Sequence, residues 1–365
     1  MPNKKKVVIF GAGKIGRLVS IFLAQTNDYA ITLVDLNTHF LERVKKLQST
    51  QNIEYEVSDF SNEEEIKKVL TGKHYALSCA PFFCNNKIAE VASALNVHYL
   101  DLTEDVKTTN YIKKIAKNSS CAFIPQCGLA PGFITIVANH LVKKFDSIED
   151  VKMRVGALPM YPHNRLKYNL TWSTDGLINE YCNDCEVIMD GTLHTVQPLE
   201  GEERFNIEGE EYEAFNTSGG LGTFAESLSG RVKNMDYKSI RYPGHREILL
   251  TLLHDLKFKE DRDGLKKLFE RAIPHTFQDV VIIFVTVTGQ KKGYFCQENY
   301  SKKIVHTVID GENWGAIQIT TAAGICAVLD LHAHGEIQQK GFIKQEEISF
   351  EKFSNNRFGK YYSSC

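Results

Sequence analysis

The sequence predicts an α/β protein, a doubly wound parallel sheet with an α+β domain inserted behind it, on three observations. Short apolar runs alternate with helical patterns through residues 1–130, the rhythm of parallel strands joined by crossover helices. The first such run, residues 7–10, leads directly into Gly11-Ala12-Gly13-Lys14-Ile15-Gly16, and apolar residues then recur at helical intervals over 17–25. From about Ile148 the grammar changes: strand-like runs follow one another, and Asp190-Gly191 is a two-residue hairpin signal.

The G-x-G-x-x-G spacing has a mechanical meaning. The first glycine permits a tight turn, the second lets backbone approach a pyrophosphate, and the third lets helix and strand touch. The N–H groups that open the next helix, from Lys14 and Ile15 onward, point at that phosphate. A second strand over 31–34 ends in Asp35, roughly the 20 residues downstream at which a ribose-binding carboxylate belongs. Together these features read as a Rossmann dinucleotide site with Gly11, Gly13, Lys14, Ile15, Gly16 and Asp35 as contacts. An acidic side chain there accepts hydrogen bonds from ribose hydroxyls and repels a 2′-phosphate. Leu36 and Asn37 bring no cation to offset it, so NAD is favoured over NADP.

Further elements follow in order. A helix over 40–47 and a strand over 53–57 lead to Asp59, which either touches the adenine end of the cofactor or caps a helix over 61–70. A fourth strand, 75–81, ends in Ala80 and Pro81, small and stiff residues suited to a backbone that passes close to a nicotinamide ribose. A helix over 87–95 and strands over 97–101 and 122–125 complete the sheet. Ligands of such sheets bind beyond the C-terminal strand ends, which puts Asp101, Thr103 and the segment after Pro125 beside the active site. The inserted domain, 131–317, has predicted strands over 151–155 and 168–172 and hairpins over 185–196 and 279–297, the latter turning at 289–292. Helices are expected over 244–256 and 264–272. An apolar helix at 320–332 and an extended arm from Gly341 return to the first domain, so residues from about 318 to 365 complete it.

Composition bounds the partners. The chain is 43% hydrophobic and 24% charged with a formal net charge of −2, which gives no basic excess for nucleic acid or an anionic membrane. Apolar runs fall short of the ~20 residues of a membrane span. Residues 1–6 run straight into the first strand, leaving no room for a signal peptide, and nine scattered cysteines suit reduced thiols, so a cytoplasmic protein is expected. Cys182 and Cys185 form a lone C-x-x-C without the further ligands zinc needs, and no metal is expected. Open sheet edges in the second domain allow a homodimer.

Several motifs recur in order: Cys127-Gly128-Leu129-Ala130-Pro131-Gly132, Gly156-Ala157-Leu158-Pro159, Tyr168 with Thr171-Trp172-Ser173, and Arg241-Tyr242-Pro243-Gly244-His245. With the N-terminal glycines, this series resembles the saccharopine dehydrogenase family over nearly the whole chain. Within it the sequence is most similar to the lysine 6-dehydrogenase branch: Ala130 stands where saccharopine reductases carry an aspartate, and residues 171–181 and 218–223 also resemble that branch.

The resemblance implies a small amino-acid substrate. Hydride leaves a carbon bearing nitrogen for the nicotinamide and an imine forms, most simply in oxidative deamination of the lysine ε-amine to the 6-semialdehyde. Saccharopine oxidation and carboxynorspermidine-type reductive condensation are the alternatives, and a regulatory protein that senses NAD is a third. An ammonium of pKa about 10.4 must first lose its proton, so a general base is required. Asp101, Glu180 and His245 are the candidates; Asp101 alternatively caps a helix, and Glu180 alternatively holds a substrate ammonium. Arg241 offers a two-pronged donor for a carboxylate. The glycine-rich run 218–223, with Gly220 and Thr223 ahead of a helix, is the alternative to Arg241 for that carboxylate, and Trp172 and Tyr168 are placed to line the aliphatic part of the substrate.

Overall fold

The computed structural model describes residues 4–363, which divide into two compact units. The first comprises the chain up to Phe133, Val308–Glu312 and the chain from Gln318 onward; the second comprises Ile134–Thr307 and Asn313–Ile317.

In the first unit the chain runs through β1 (Lys5–Phe10), α1 (Lys14–Ala24), β2 (Tyr29–Asp35), α2 (Thr38–Lys45), β3 (Glu54–Val57) and α3 (Glu63–Leu70). It continues through β4 (Tyr75–Ser78), α4 (Phe82–Ala94), β5 (His98–Asp101), α5 (Val106–Ala116) and β6 (Ala122–Ile124). The strands lie in the order β6-β5-β4-β1-β2-β3, all pairings parallel. Val7, Val8, Ile9 and Phe10 are fully buried, as a central parallel strand covered by helices on both faces demands. After β3 the chain crosses back to lay β4 on the other side of β1, so the topology switches between β1 and β4. The helices that leave this point differ from the rest. Asn37, Asn62 and Asp105 cap α2, α3 and α5 with their side chains, whereas α1 starts at Gly13 and α4 at Pro81 without a side-chain cap.

Beyond α6 (Phe133–Val142), the second unit contains β7 (Ser147–Pro159), α7 (Thr174–Cys182), β8 (Cys185–Met189), β9 (Thr192–Val196), β10 (Glu203–Ile207) and β11 (Glu210–Asn216). Then come α8 (Phe224–Leu228), β12 (Val232–Arg241), α9 (His245–Leu250), α10 (Arg262–Ala272), β13 (Asp279–Lys291) and β14 (Tyr294–Val305). Its sheet has the order β10-β11-β12-β7-β13-β14, with the β8–β9 hairpin attached to β12; β12 and β7 are parallel and the other pairs antiparallel. A two-stranded ribbon, β15 (Thr307–Ile309) with β16 (Glu312–Trp314), precedes α11 (Ala316–Ala333). That helix is apolar enough over 18 residues to cross a membrane, yet most of it is buried as core.

The structure corrects the sequence reading at several places. Residues 168–172 form no strand: Asn164 hydrogen-bonds both the N–H and the carbonyl of Tyr168, and only Leu170 makes a β-bridge, to His275. The late hairpin turns at Lys292-Gly293 (φ 53° and 80°), the mirror-image turn that a two-residue hairpin prefers, not over 289–292. Sequence pattern does not reveal helices α5, α6 and α7 or strands β10, β11 and β12. The tail is no extended arm. Its β17 (Gly341–Phe342) joins β6 as a seventh parallel strand, α12 (Phe350–Asn355) is capped by Ser349, and Tyr362 stacks on Phe133 with ring centroids 3.9 Å apart. Buried Asp330 of α11 ties that tail down, accepting from Asn356 (2.8 Å) and Arg357 (2.6 Å) as well as the Tyr29 hydroxyl (2.6 Å).

Candidate active site

In the first unit the glycine motif forms the β1–α1 turn. Gly11 has φ 98°, and a side chain on it would strike the Cys79 carbonyl. A Cβ on Gly16 would lie 1.8 Å from the Gly11 carbonyl oxygen, so only glycine lets α1 rest against the turn. Gly13 is the opposite case: a Cβ there would meet nothing within 4 Å. The uncapped N-terminus of α1 thus opens beside a space kept clear of side chains, with Lys14 exposed and Ile15 half-buried in its first turn. That combination fits a pyrophosphate. Asp35 ends β2 and accepts from the Ala12 N–H (2.7 Å) and the Asn37 N–H (2.8 Å), so the ribose-side carboxylate is fixed to the glycine turn itself. Ala80 and Pro81 lie between β4 and α4, at the switch point. Asp59 turns its carboxylate on the Ser61 N–H at 2.8 Å, while Asn62 caps α3; its capping alternative therefore does not hold.

Asp101 ends β5 and is fully buried. Its Oδ1 accepts from the backbone of Thr103 and Gln126, both at 3.0 Å, and its Oδ2 accepts from the Tyr99 hydroxyl at 2.9 Å. It braces β5 against the turn after β6 and caps no helix; Asp105 does that for α5. Burial raises its carboxyl to about 6, against the three hydrogen bonds that favour the anion.

The remaining candidates gather in the second unit around Arg241, the last residue of β12. Its Nε donates to the Tyr181 hydroxyl (2.8 Å), its Nη1 to the Ile240 carbonyl (2.8 Å) and its Nη2 to Glu180 (3.3 Å). The guanidinium also lies 5.2 Å from the Tyr168 ring centroid and 5.6 Å from that of Tyr181. Burial opposes the charge, but Tyr181, Tyr168 and Glu180 outweigh it and hold the pKa above the usual guanidinium range. Of five guanidinium N–H groups, one each on Nη1 and Nη2 is left for a ligand. The pair of buried Arg241 and partly buried Glu180 therefore offers a cation with spare donors beside an anion, which matches the carboxylate and ammonium of an amino-acid head.

His245 opens α9 and is also buried. Its Nδ1 meets the Leu166 carbonyl at 2.8 Å, which can only accept, so Nδ1 carries the proton and Nε2 accepts from the Tyr181 hydroxyl at 3.1 Å. Burial and then repulsion by Arg241 depress the imidazole to about 3, against the Leu166 bond. A base so weak, with both nitrogens engaged, does not suit proton abstraction at neutral pH; His245 and Tyr181 instead orient Arg241. Sequence reasoning misses Tyr181, although it follows Glu180 directly on the helix that the Ser173 cap starts. Trp172 donates to the Tyr168 hydroxyl (3.2 Å), which makes Tyr168 a buried wall under Arg241. Gly220 is required by packing, since a Cβ there would enter the Tyr237 ring, and Thr223 precedes α8, only five residues long. Elsewhere in this unit a cavity of about 220 Å³ is lined by Val187, Met189, Asn234 and Lys238. The Lys238 ammonium there donates to the Gly201 carbonyl and to Glu203 and pairs with Asp236 at 3.5 Å.

Comparison with known proteins completes the picture. The profile of the saccharopine dehydrogenase NADP binding domain matches residues 7–122, and that of the saccharopine dehydrogenase C-terminal domain matches residues 128–358. The chain belongs to the saccharopine dehydrogenase family. Among curated proteins, the mitochondrial alpha-aminoadipic semialdehyde synthases of Rattus norvegicus and Mus musculus are 21% and 20% identical over 225 residues. Those matches cover 57% of this chain and 24% of each relative, so the chain spans about a quarter of their length. Among solved structures, apo saccharopine dehydrogenase (L-Glu forming) from Saccharomyces cerevisiae superposes with a TM-score of 0.79 at 13% identity. It covers 98% of this chain and 96% of that one, a likeness of fold.

Two expectations follow. Gly16→Ala lowers the unfolding free energy of the cofactor-free protein by about 1–3 kcal/mol through overpacking, whereas Gly13→Ala leaves its urea midpoint unchanged and weakens nicotinamide dinucleotide binding by titration. The second concerns pH. Unfolded, His245 takes up a proton near 6.5; folded, it does so only near 3, so its contribution to stability is lost as pH falls between these values. The stability gap between wild type and His245→Gln, read by urea unfolding, should narrow by about 1.4 kcal/mol per pH unit as pH falls from about 6 to about 4.

Proposed function

We propose that this protein is an NAD-dependent dehydrogenase that oxidatively deaminates the ε-amine of L-lysine, releasing ammonia and the 6-semialdehyde. The observation that carries the reading is the pair of buried Arg241 and partly buried Glu180. Arg241 keeps two N–H groups for one carboxylate, and Glu180 can take an α-ammonium, which leaves the aliphatic stem to Tyr168 and Trp172. Lysine has one carboxylate. Saccharopine has three, and Ala130, where saccharopine reductases carry aspartate, further supports the simpler substrate.

The nicotinamide supplies the hydride acceptor. This chain's own residues bind it, orient the amino acid and move the proton. Asp35 favours NAD, because its carboxylate, fixed by the Ala12 and Asn37 amides, would oppose a 2′-phosphate. The family profile that matches this region bears the NADP name, so affinities for both dinucleotides need measuring. Of the three candidate bases, Asp101 is raised by burial to about 6, near working pH; Glu180 is paired with Arg241 and His245 is too weak. A second reading, oxidation of saccharopine, is favoured by the names of the family and of the yeast structure.

The deciding assay follows nicotinamide reduction by absorbance, with L-lysine alone and then with saccharopine, each with NAD and NADP. Turnover with lysine and NAD, with ammonia released, is expected; turnover only with saccharopine would establish the second reading. The base is tested by Asp101→Asn. Asparagine keeps the oxygen that accepts from Thr103 and Gln126, so the brace survives. A base is expected to lose about 10²–10⁴ in kcat and the acid limb of the pH profile, whereas a residue that only braces leaves kcat in place.

A further inference from the structure

The cavity of about 220 Å³ in the second unit lies on the face of the sheet turned away from Arg241. In the ladders that join β11, β12 and β7, Asn216 pairs with Lys238 and Lys238 with Arg154. Two residues earlier Asp236 pairs with Lys152, and before them Asn234 pairs with Asp150. Side chains alternate along a strand, so these residues share one face, and Arg241, three positions beyond Lys238, points to the other. The β8–β9 hairpin adds apolar walls from Val187, Met189 and Val196.

Within this face Arg154 and Lys238 are balanced by Asp236 and Glu203. Three polar lining groups are not matched in this way. Asn216 is only 7% exposed, yet its side-chain amide has no hydrogen-bond partner among the described residues. A buried amide left so is costly. A Cβ on Gly201 would lie 3.2 Å from the Asn216 Nδ2 and 3.5 Å from the Lys238 Nζ, so glycine keeps that end of the cavity open. Asp150 accepts from Asn234 and from Thr288, both at 3.0 Å, but no lysine or arginine among the described residues pairs with it. Lys152 is exposed at the rim and pairs with no acid among them.

We propose that this cavity binds a free α-amino acid whose side chain ends in an amide, the chemistry of glutamine. The carboxylate of its head meets Lys152 and the ammonium meets Asp150. Side chains two apart on a strand stand roughly 7 Å from one another, which leaves room for the zwitterion between them. Its methylenes lie along Val187, Met189 and Val196. The terminal amide exchanges a donated and an accepted hydrogen bond with Asn216. A carboxylate end can only accept and an ammonium end can only donate, so either would use half of what Asn216 offers. The site is separate from the Arg241–Glu180 pair and does not depend on the reaction assigned there.

Isothermal titration of the full chain with L-glutamine is expected to show one molecule bound per chain. L-Norleucine has the same head and a methylene chain without the amide, and should bind about tenfold more weakly. Asn216→Leu keeps the shape and loses no hydrogen bond of the protein; it should retain the unfolding midpoint and bind both amino acids equally. Lys152→Met, an exposed change that leaves the fold alone, should weaken both. The proposal is overturned by no heat with glutamine up to about 10 mM, or by equal wild-type affinities for glutamine and norleucine. It is overturned as well if both variants bind glutamine as the wild type does, because the amino acid would then sit elsewhere.

Discussion

How closely one helix can lie on one turn governs the first unit. Because position 16 bears no side chain, α1 rests on the Gly11 carbonyl, and its N-terminus stays at the edge of the sheet. The rest follows from that contact. The Ala12 amide comes within hydrogen-bond reach of Asp35, which couples the phosphate-facing turn to the ribose-facing carboxylate. The topology switch leaves α1 and α4 as the two helices that start there without side-chain caps, so the positive ends of both are available to an anion. Capping them, as Asn37, Asn62 and Asp105 cap their neighbours, would spend the donors a phosphate needs.

The second unit buries two arginines and treats them differently. Arg154 in β7 is held by Asp236 and Glu203, with Lys238 balancing the second carboxylate, and its donors also reach the Met153 and Asp236 carbonyls. Nothing of it is left over, and its role is to hold β10 and β12 on β7. Arg241 has one carboxylate, two tyrosines and a neutral histidine around it, and it keeps donors in reserve. A buried charge with unfinished coordination is costly unless something arrives to complete it. On the function proposed above, that contrast separates the arginine that serves the fold from the one that would serve a ligand.

The glycine turn and Asp35 were legible in the sequence because their chemistry is local: spacing alone fixes what the backbone must do. Arg241 was legible as a residue but not as an environment. Its orientation depends on Tyr181 from α7 and on which nitrogen of His245 carries a proton, and that depends on a carbonyl at Leu166, far away in the chain. Residues 168–172 misled because aromatic and β-branched residues suit a strand, while the Asn164 side chain supplied the hydrogen bonds a ladder would have given. The tail misled for the converse reason. Two residues, Gly341 and Phe342, are too few to show a period, and they become a strand only because β6 offers an edge.

That last strand has a consequence for the order of events during synthesis. The first unit is assembled from three stretches of chain; Ile134–Thr307 of the second lies between the first two, and Asn313–Ile317 between the last two. A ribosome therefore releases six strands of the parallel sheet, then the entire second sheet, and only afterwards the β17 that covers the β6 edge and the tail residues that satisfy Asp330. Through that interval the nascent chain carries an open parallel edge, and once α11 emerges its Asp330 still waits for the donors of Asn356 and Arg357. The second unit can mature as a piece of its own, while the dinucleotide-binding unit, first to be started, is the last to be finished.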